Sequence, residues 1–238
     1  FFSWGLGAPS SEKVSFFRPS PYSETRRCAS FEAPMKPTAL EFFYDFSSPY
    51  AYLAHAQASV VAGRHGVTLV PRPFLLGGLF RALDGPMVPI LEASPQKQRI
   101  LRTDIGRWAE VRALLYAWPS RFPMNTILAL RVVLQLDGQA HLDAMAAIFR
   151  AYWGHDRDIS DAGVIAACLT DAGLDAAGLL AGCASPAVKA KLMANGEEAF
   201  KRGFVGAPTF ACGDRLVWGQ DRFELIERLL DGWEPQAG

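Results

Sequence analysis

Strand-like segments occur at only two places in this chain, and the pattern between them is helical. Residues 39–46, Ala-Leu-Glu-Phe-Phe-Tyr-Asp-Phe, form a short aromatic run of the kind that fills a buried strand. Residues 67–73 read as a second strand, with Pro71 and Pro73 at its frayed end. The next strand signals come at residues 209–212 and 215–218, joined by Gly213-Asp214, a hairpin turn pair. The two ends of the chain are read together as the source of one sheet.

The near end supplies strand, helix and strand. After the first strand comes Ser47-Ser48-Pro49, a preferred cap residue followed by the residue favoured at the first helical position. An Ala-rich helical segment runs to about residue 62, and Gly63 and Gly66 close it. This has the size of a right-handed parallel crossover unit. From 78 to 200 the pattern is helical throughout, with helices expected over 96–115, 126–136, 142–153, 160–172 and 186–200. Ser160 and Asp161 look like a cap, and Pro186 marks a helix start. The far end gives a turn-rich approach at 203–208, the hairpin, and an amphipathic helix over 221–230. The expected fold is therefore α/β, in the order βαβ, helical block, ββα. The outer parts, 39–77 and 201–238, form one four-stranded layer, and 78–200 is an all-helical insertion.

Lys plus Arg equals Asp plus Glu, 24 against 24, so no global charge draws the chain to nucleic acid or a membrane surface. No apolar run approaches the length of a membrane span. A small organic substrate is the more natural partner. The four cysteines (Cys28, Cys168, Cys183, Cys212) include no C-x-x-C pair and no zinc-ligand spacing. Cys168 and Cys212 lie in apolar stretches and read as buried, reduced thiols. The four histidines are scattered, so no metal site is indicated. This pattern suits the reducing cytoplasm. Residues 1–38 are expected to be a disordered extension or an upstream artefact: 1–34 are rich in Ser and Pro, and Met35 stands directly before the first strand segment.

Three segments carry a family resemblance. They are the run Phe43-Tyr44-Asp45-Phe46-Ser47-Ser48-Pro49-Tyr50-Ala51-Tyr52-Leu53, the short motif Phe122-Pro123-Met124-Asn125, and Gly203-Phe204-Val205-Gly206-Ala207-Pro208-Thr209-Phe210 continuing to Trp218-Gly219-Gln220-Asp221-Arg222. Together they resemble the DsbA-like branch of the thioredoxin superfamily that holds the 2-hydroxychromene-2-carboxylate isomerases and the kappa-class glutathione transferases. Gly-Gln-Asp-Arg looks more like the isomerases than the transferases. Asp84-Gly85-Pro86 departs from the Gly-Asn that the family often carries there, which puts one expected ligand contact in question.

The resemblance implies a thioredoxin-like fold, glutathione as cofactor, a small aromatic substrate and a homodimer. It implies a catalytic Ser48 where thiol oxidoreductases of this fold place the attacking cysteine. A hydroxyl cannot exchange disulfides, but it can donate a hydrogen bond to a bound thiolate beside a helix N-terminus. It also implies a cis Pro208 with the Ala207 backbone turned toward glutathione, and contacts from Gln220 and Asp221 at the start of the last helix. Ser48 and Asp221 equally suit plain helix capping, and Pro208 an ordinary loop proline. Phe122, Asn125 and Trp108 are candidate substrate contacts, with Trp118 and Trp153 as further aromatic walls. Core packing competes for the tryptophans. Arg72 and Arg81 are possible carboxylate clamps, against a solvated surface role. The implied reaction interconverts 2-hydroxychromene-2-carboxylate and trans-o-hydroxybenzylidenepyruvate by reversible thiolate addition. A kappa-like transferase and a non-catalytic glutathione-binding protein are the alternatives.

Overall fold

The computed structural model describes residues 36–235. Residues 1–35 lie outside the described residues, and so does Cys28. Strand β1 (Ala39–Tyr44) leads through helix α1 (Pro49–His65) to β2 (Thr68–Pro73), and these strands pair in parallel from Ala39↔Thr68 to Tyr44↔Pro73. At the far end β3 (Thr209–Cys212) pairs antiparallel with β1 and with β4 (Arg215–Trp218). The sheet order is β2-β1-β3-β4, so the two ends of the chain interleave and β1 is central. Pro71 and Pro73 are tolerated because β2 is an edge strand, where a missing N–H costs no ladder bond.

The period of two in β1 assigns each side chain to one face. Leu40, Phe42 and Tyr44 enter the main core with α1, α6 (Gly138–Phe149) and α10 (Phe223–Leu230). Phe42 stacks on Phe210 at 5.1 Å and on Tyr44 at 5.2 Å, and Phe46 meets Phe149 at 4.8 Å. Phe43 points the other way, against Phe74, Phe204, α2 (Leu76–Ala82) and α9 (Pro186–Lys201). With both faces covered, β1 reads as an unbroken apolar run rather than an alternating one.

The remaining helices are α3 (Pro89–Glu92), α4 (Pro95–Val111), α5 (Ile127–Val133), α7 (Ala162–Asp171) and α8 (Ala176–Gly182). One π-helical turn, Arg150–Gly154, continues α6. The middle is not helical throughout: residues 112–126 carry no helix, and α4 stops at Val111 rather than at 115. Ala113 there has a positive φ of 51°, and aromatic packing takes over, with Trp118 on Phe122 at 4.9 Å. Asp161, not Ser160, caps α7, accepting from Val164 N at 3.0 Å. Helix α10 begins at Phe223, so Gln220 and Asp221 precede it instead of opening it, and no side chain caps it.

Candidate active site

Where β1 ends, the chain must turn sharply to enter α1. Asp45 fastens that turn. Its carboxylate accepts from Ser47 N at 3.0 Å and, across the fold, from Leu76 N at 2.8 Å. Asp45 is 1% exposed, and burial raises its pKa, opposed by those backbone bonds and by the Thr126 and Ser47 hydroxyls. A buried carboxylate surrounded by donors acts as an acceptor, so it clamps the starts of α1, α2 and α5 at one point.

Ser48 follows in extended geometry (φ −89°, ψ 116°) and caps α1, accepting from Ala51 N at 3.2 Å. Its one hydroxyl proton goes to Ala207 O at 2.8 Å. This joins the α1 N-terminus to the turn before β3, where the Ala207-Pro208 bond is cis, as the sequence suggested. Pro49 has no N–H to offer, and Tyr50 N and Ala207 N make no hydrogen bond among the described residues. Ser48 is thus flanked by two free backbone donors. Gly206 lets the indole lie directly on the backbone beside them: a Cβ there would meet Trp218 Nε1 at 2.9 Å.

These groups border a cavity of about 560 Å³. Ser48, Ala207, Phe122 and Asn125, all named from the sequence, line it. Pro208 is buried behind Ala207 and is absent from the lining. Trp108 is also absent: it lies under the Arg112 guanidinium at 5.0 Å and packs in the Leu53–Ile105 cluster. Trp118 packs against Phe122, and Trp153 is fully buried with its Nε1 donating to Phe46 O at 2.8 Å, so core packing claims both. Arg72 pairs with Glu41 and Glu198, and Arg81 is exposed away from the lining. Gly85 lines the cavity, whereas Asp84 is exposed.

Gln220 and Asp221 lie apart from this cavity. The Gln220 side chain is buried with Oε1 unpartnered, and the Gln220 main-chain carbonyl accepts from Arg112 Nη2 at 2.5 Å. Asp221 is exposed, and its charge helps to raise the pKa of Tyr50, after burial and Asp104. Tyr50 itself lines the cavity. Sequence reasoning gave no separate role to Asp45, Tyr50 or Trp218, although an acid inside Phe43-Tyr44-Asp45-Phe46 was a usable sign of a buried carboxylate. Cys168, Cys183 and Cys212 are free, buried and outside the lining, and burial raises all three thiols, Cys212 to about 11.

The chain is similar to 2-hydroxychromene-2-carboxylate isomerase of Sphingobium xenophagum, 28% identical over 197 residues that cover 80% of this chain and 97% of that one. It is 27% identical over 209 residues to glutathione S-transferase kappa 1 of Homo sapiens, covering 82% and 91%. A solved structure of a 2-hydroxychromene-2-carboxylate isomerase superposes with a TM-score of 0.73 at 23% identity, covering 81% and 94%, which extends the likeness to the fold. Residues 39–231 match the family described as the DSBA-like thioredoxin domain, and the chain belongs to that family.

Proposed function

We propose that this protein is a glutathione-dependent cis-trans isomerase of an aromatic catabolite, cytoplasmic and homodimeric. Its reaction is of the kind that interconverts 2-hydroxychromene-2-carboxylate and trans-o-hydroxybenzylidenepyruvate. One observation carries this reading: the turn between β1 and α1, where the resemblance implies an attacking cysteine in thiol oxidoreductases, holds Ser48, and none of the three described cysteines lines the cavity beside it. The sulfur then has to arrive with a ligand. Similarity to isomerases and to a glutathione transferase supports the same reading.

The residues fit glutathione. Tyr50 N and Ala207 N are unspent donors on either side of the Ser48 hydroxyl. The exposed Asp221 carboxylate suits an ammonium group, whereas Gln220 Oε1 is buried and outside the cavity lining. When bound, glutathione supplies a thiolate whose reversible addition to a conjugated double bond permits rotation about it. Ser48 can turn its hydroxyl from Ala207 O toward a sulfur, and the α1 N-terminus favours negative charge there. Asp45 holds the turn in place, and the apolar walls exclude water from the reacting carbons.

The test is to incubate the protein with trace glutathione and an o-hydroxybenzylidene substrate, following double-bond geometry and free thiol together. Catalytic isomerisation with no loss of thiol is expected. Stoichiometric loss of thiol into a released product would make the protein a transferase. Glutathione binding seen as a rise in melting temperature, without turnover, would make it a binding protein.

A further inference from the structure

The substrates of the proposed reaction carry a carboxylate, and a second anion needs its own place in the site. The free donors at Tyr50 N and Ala207 N flank the Ser48 hydroxyl, where the proposed reaction holds its thiolate, and a carboxylate there would meet like charge. No Lys, Arg or His lines the main cavity. Most arginines around it are already engaged. Arg72 pairs with Glu41 and Glu198, and Arg121 with Asp158. Arg222 donates to Trp218 O, and Arg112 bonds the carbonyls of Leu53 and Gln220.

Arg131 is different. It lines a second cavity of about 210 Å³ with Leu128 and Ser160, and Asn125 and Ile127 belong to both linings, so the two spaces adjoin at the start of α5. Its Nε is buried without a hydrogen-bond partner, and among the described residues no carboxylate forms an ion pair with its guanidinium. A donor withdrawn from water and left unmet is costly, and a planar guanidinium fits a carboxylate through two parallel bonds. Asn125 adds a second donor: its amide oxygen accepts from Ile127 N at 3.0 Å, which leaves the NH2 group for a ligand. The Ser160 hydroxyl donates to Asp158 at 2.5 Å, and Asp158 is paired with Arg121, so that acid has its own cation. We infer that Arg131 binds the carboxylate of a 2-oxo acid substrate, with the Asn125 amide beside it, while the aromatic ring lies on the apolar walls of the main cavity. Arg131 is thereby a specificity-determining residue: it selects the acid and stays off the reacting carbons. The inference rests on the isomerase reading for the substrate class, and on the two cavities for the residue.

Two saturated, unreactive probes test it: 4-(2-hydroxyphenyl)-2-oxobutanoate and the ketone that lacks its acid group, 4-(2-hydroxyphenyl)butan-2-one. Both are titrated by calorimetry at pH 7 into the full chain. The acid is expected to bind about tenfold more tightly than the ketone, and Arg131→Gln to remove that preference while changing the ketone by less than about twofold. Ser160→Glu, at an exposed position of the second lining, gives Arg131 an internal partner and should lower acid affinity about tenfold with the ketone again unchanged; it serves if Arg131→Gln does not fold. Acid preference that survives both substitutions would overturn the inference and put the carboxylate on the backbone donors beside Ser48. An equal loss of both probes would overturn it too, because Arg131 would then only support the fold. So would failure of the acid to bind the unaltered protein. Acid preference that depends on Arg131, with no glutathione-dependent isomerisation of the unsaturated acid, would uphold the clamp and remove the isomerase reading.

Discussion

Replacing Ser48 by Ala removes two bonds with different meanings. The first is the cap on α1, whose loss costs about 1 kcal/mol. The second is the hydroxyl bond to Ala207 O, a buried carbonyl left with one partner fewer, at about 1–2 kcal/mol. The sum of about 2–3 kcal/mol corresponds to a fall of roughly 5–10 °C in melting temperature for a domain of this size. If the hydroxyl also holds a thiolate during the reaction, turnover should fall by a further factor of about 100 to 1000, the usual effect of losing one oriented donor. Stability and turnover can be read on the same preparation, by thermal denaturation and by glutathione-dependent isomerisation below the melting range. Asp161→Ala provides the control. It removes the cap of α7 by a similar margin, about 1 kcal/mol, away from the cavity lining, and turnover should stay within about twofold. A folded Ser48→Ala protein that melts lower but turns over normally would refute the catalytic role and leave Ser48 a cap and a tie.

Three further outcomes follow from the packing. His141 Nδ1 faces Leu136 O at 3.2 Å and its Nε2 faces the Tyr44 hydroxyl at 2.8 Å, an arrangement met by the neutral ring with its proton on Nδ1. Burial lowers both His141 and His55 to about 4, below the ordinary 6.5, so the unfolded chain takes up these protons first. Their stability contribution is present above pH 6.5 and is lost as pH falls through 4. Each ring accounts for up to about 3 kcal/mol, and His141→Gln should flatten urea-denaturation stability across that window. Replacing all four cysteines by Ala should leave glutathione-dependent turnover within about threefold, because burial keeps the three described thiols protonated at neutral pH; a large loss in a folded variant would point to a protein thiol. Gly206→Ala places a methyl 2.9 Å from Trp218 Nε1 and should displace the indole, weakening ligand binding by about tenfold, measured by calorimetry, with a small change in melting temperature.

What the sequence settled alone was local. Strand runs, the Ser-Pro helix start, the hairpin pair and the turn before Pro208 all express interactions between residues a few positions apart, and each lies where the pattern put it. The gathering of both chain ends into one sheet was legible for a related reason, since strands at the two ends had no other partners. The order β2-β1-β3-β4 and the residues facing the cavity were decided by the tertiary structure. Trp108 had the right period and chemistry, yet α4 turns it under Arg112. Gln220 and Asp221 matched a motif, but α10 starts after them. The two bonds that define the site join Asp45 to Leu76 and Ser48 to Ala207, partners 31 and 159 residues apart. Periodicity and capping extend over about one helical turn, so no local pattern can register such pairs; they exist because packing brings the two ends of α/β layer and the start of α2 to a single point.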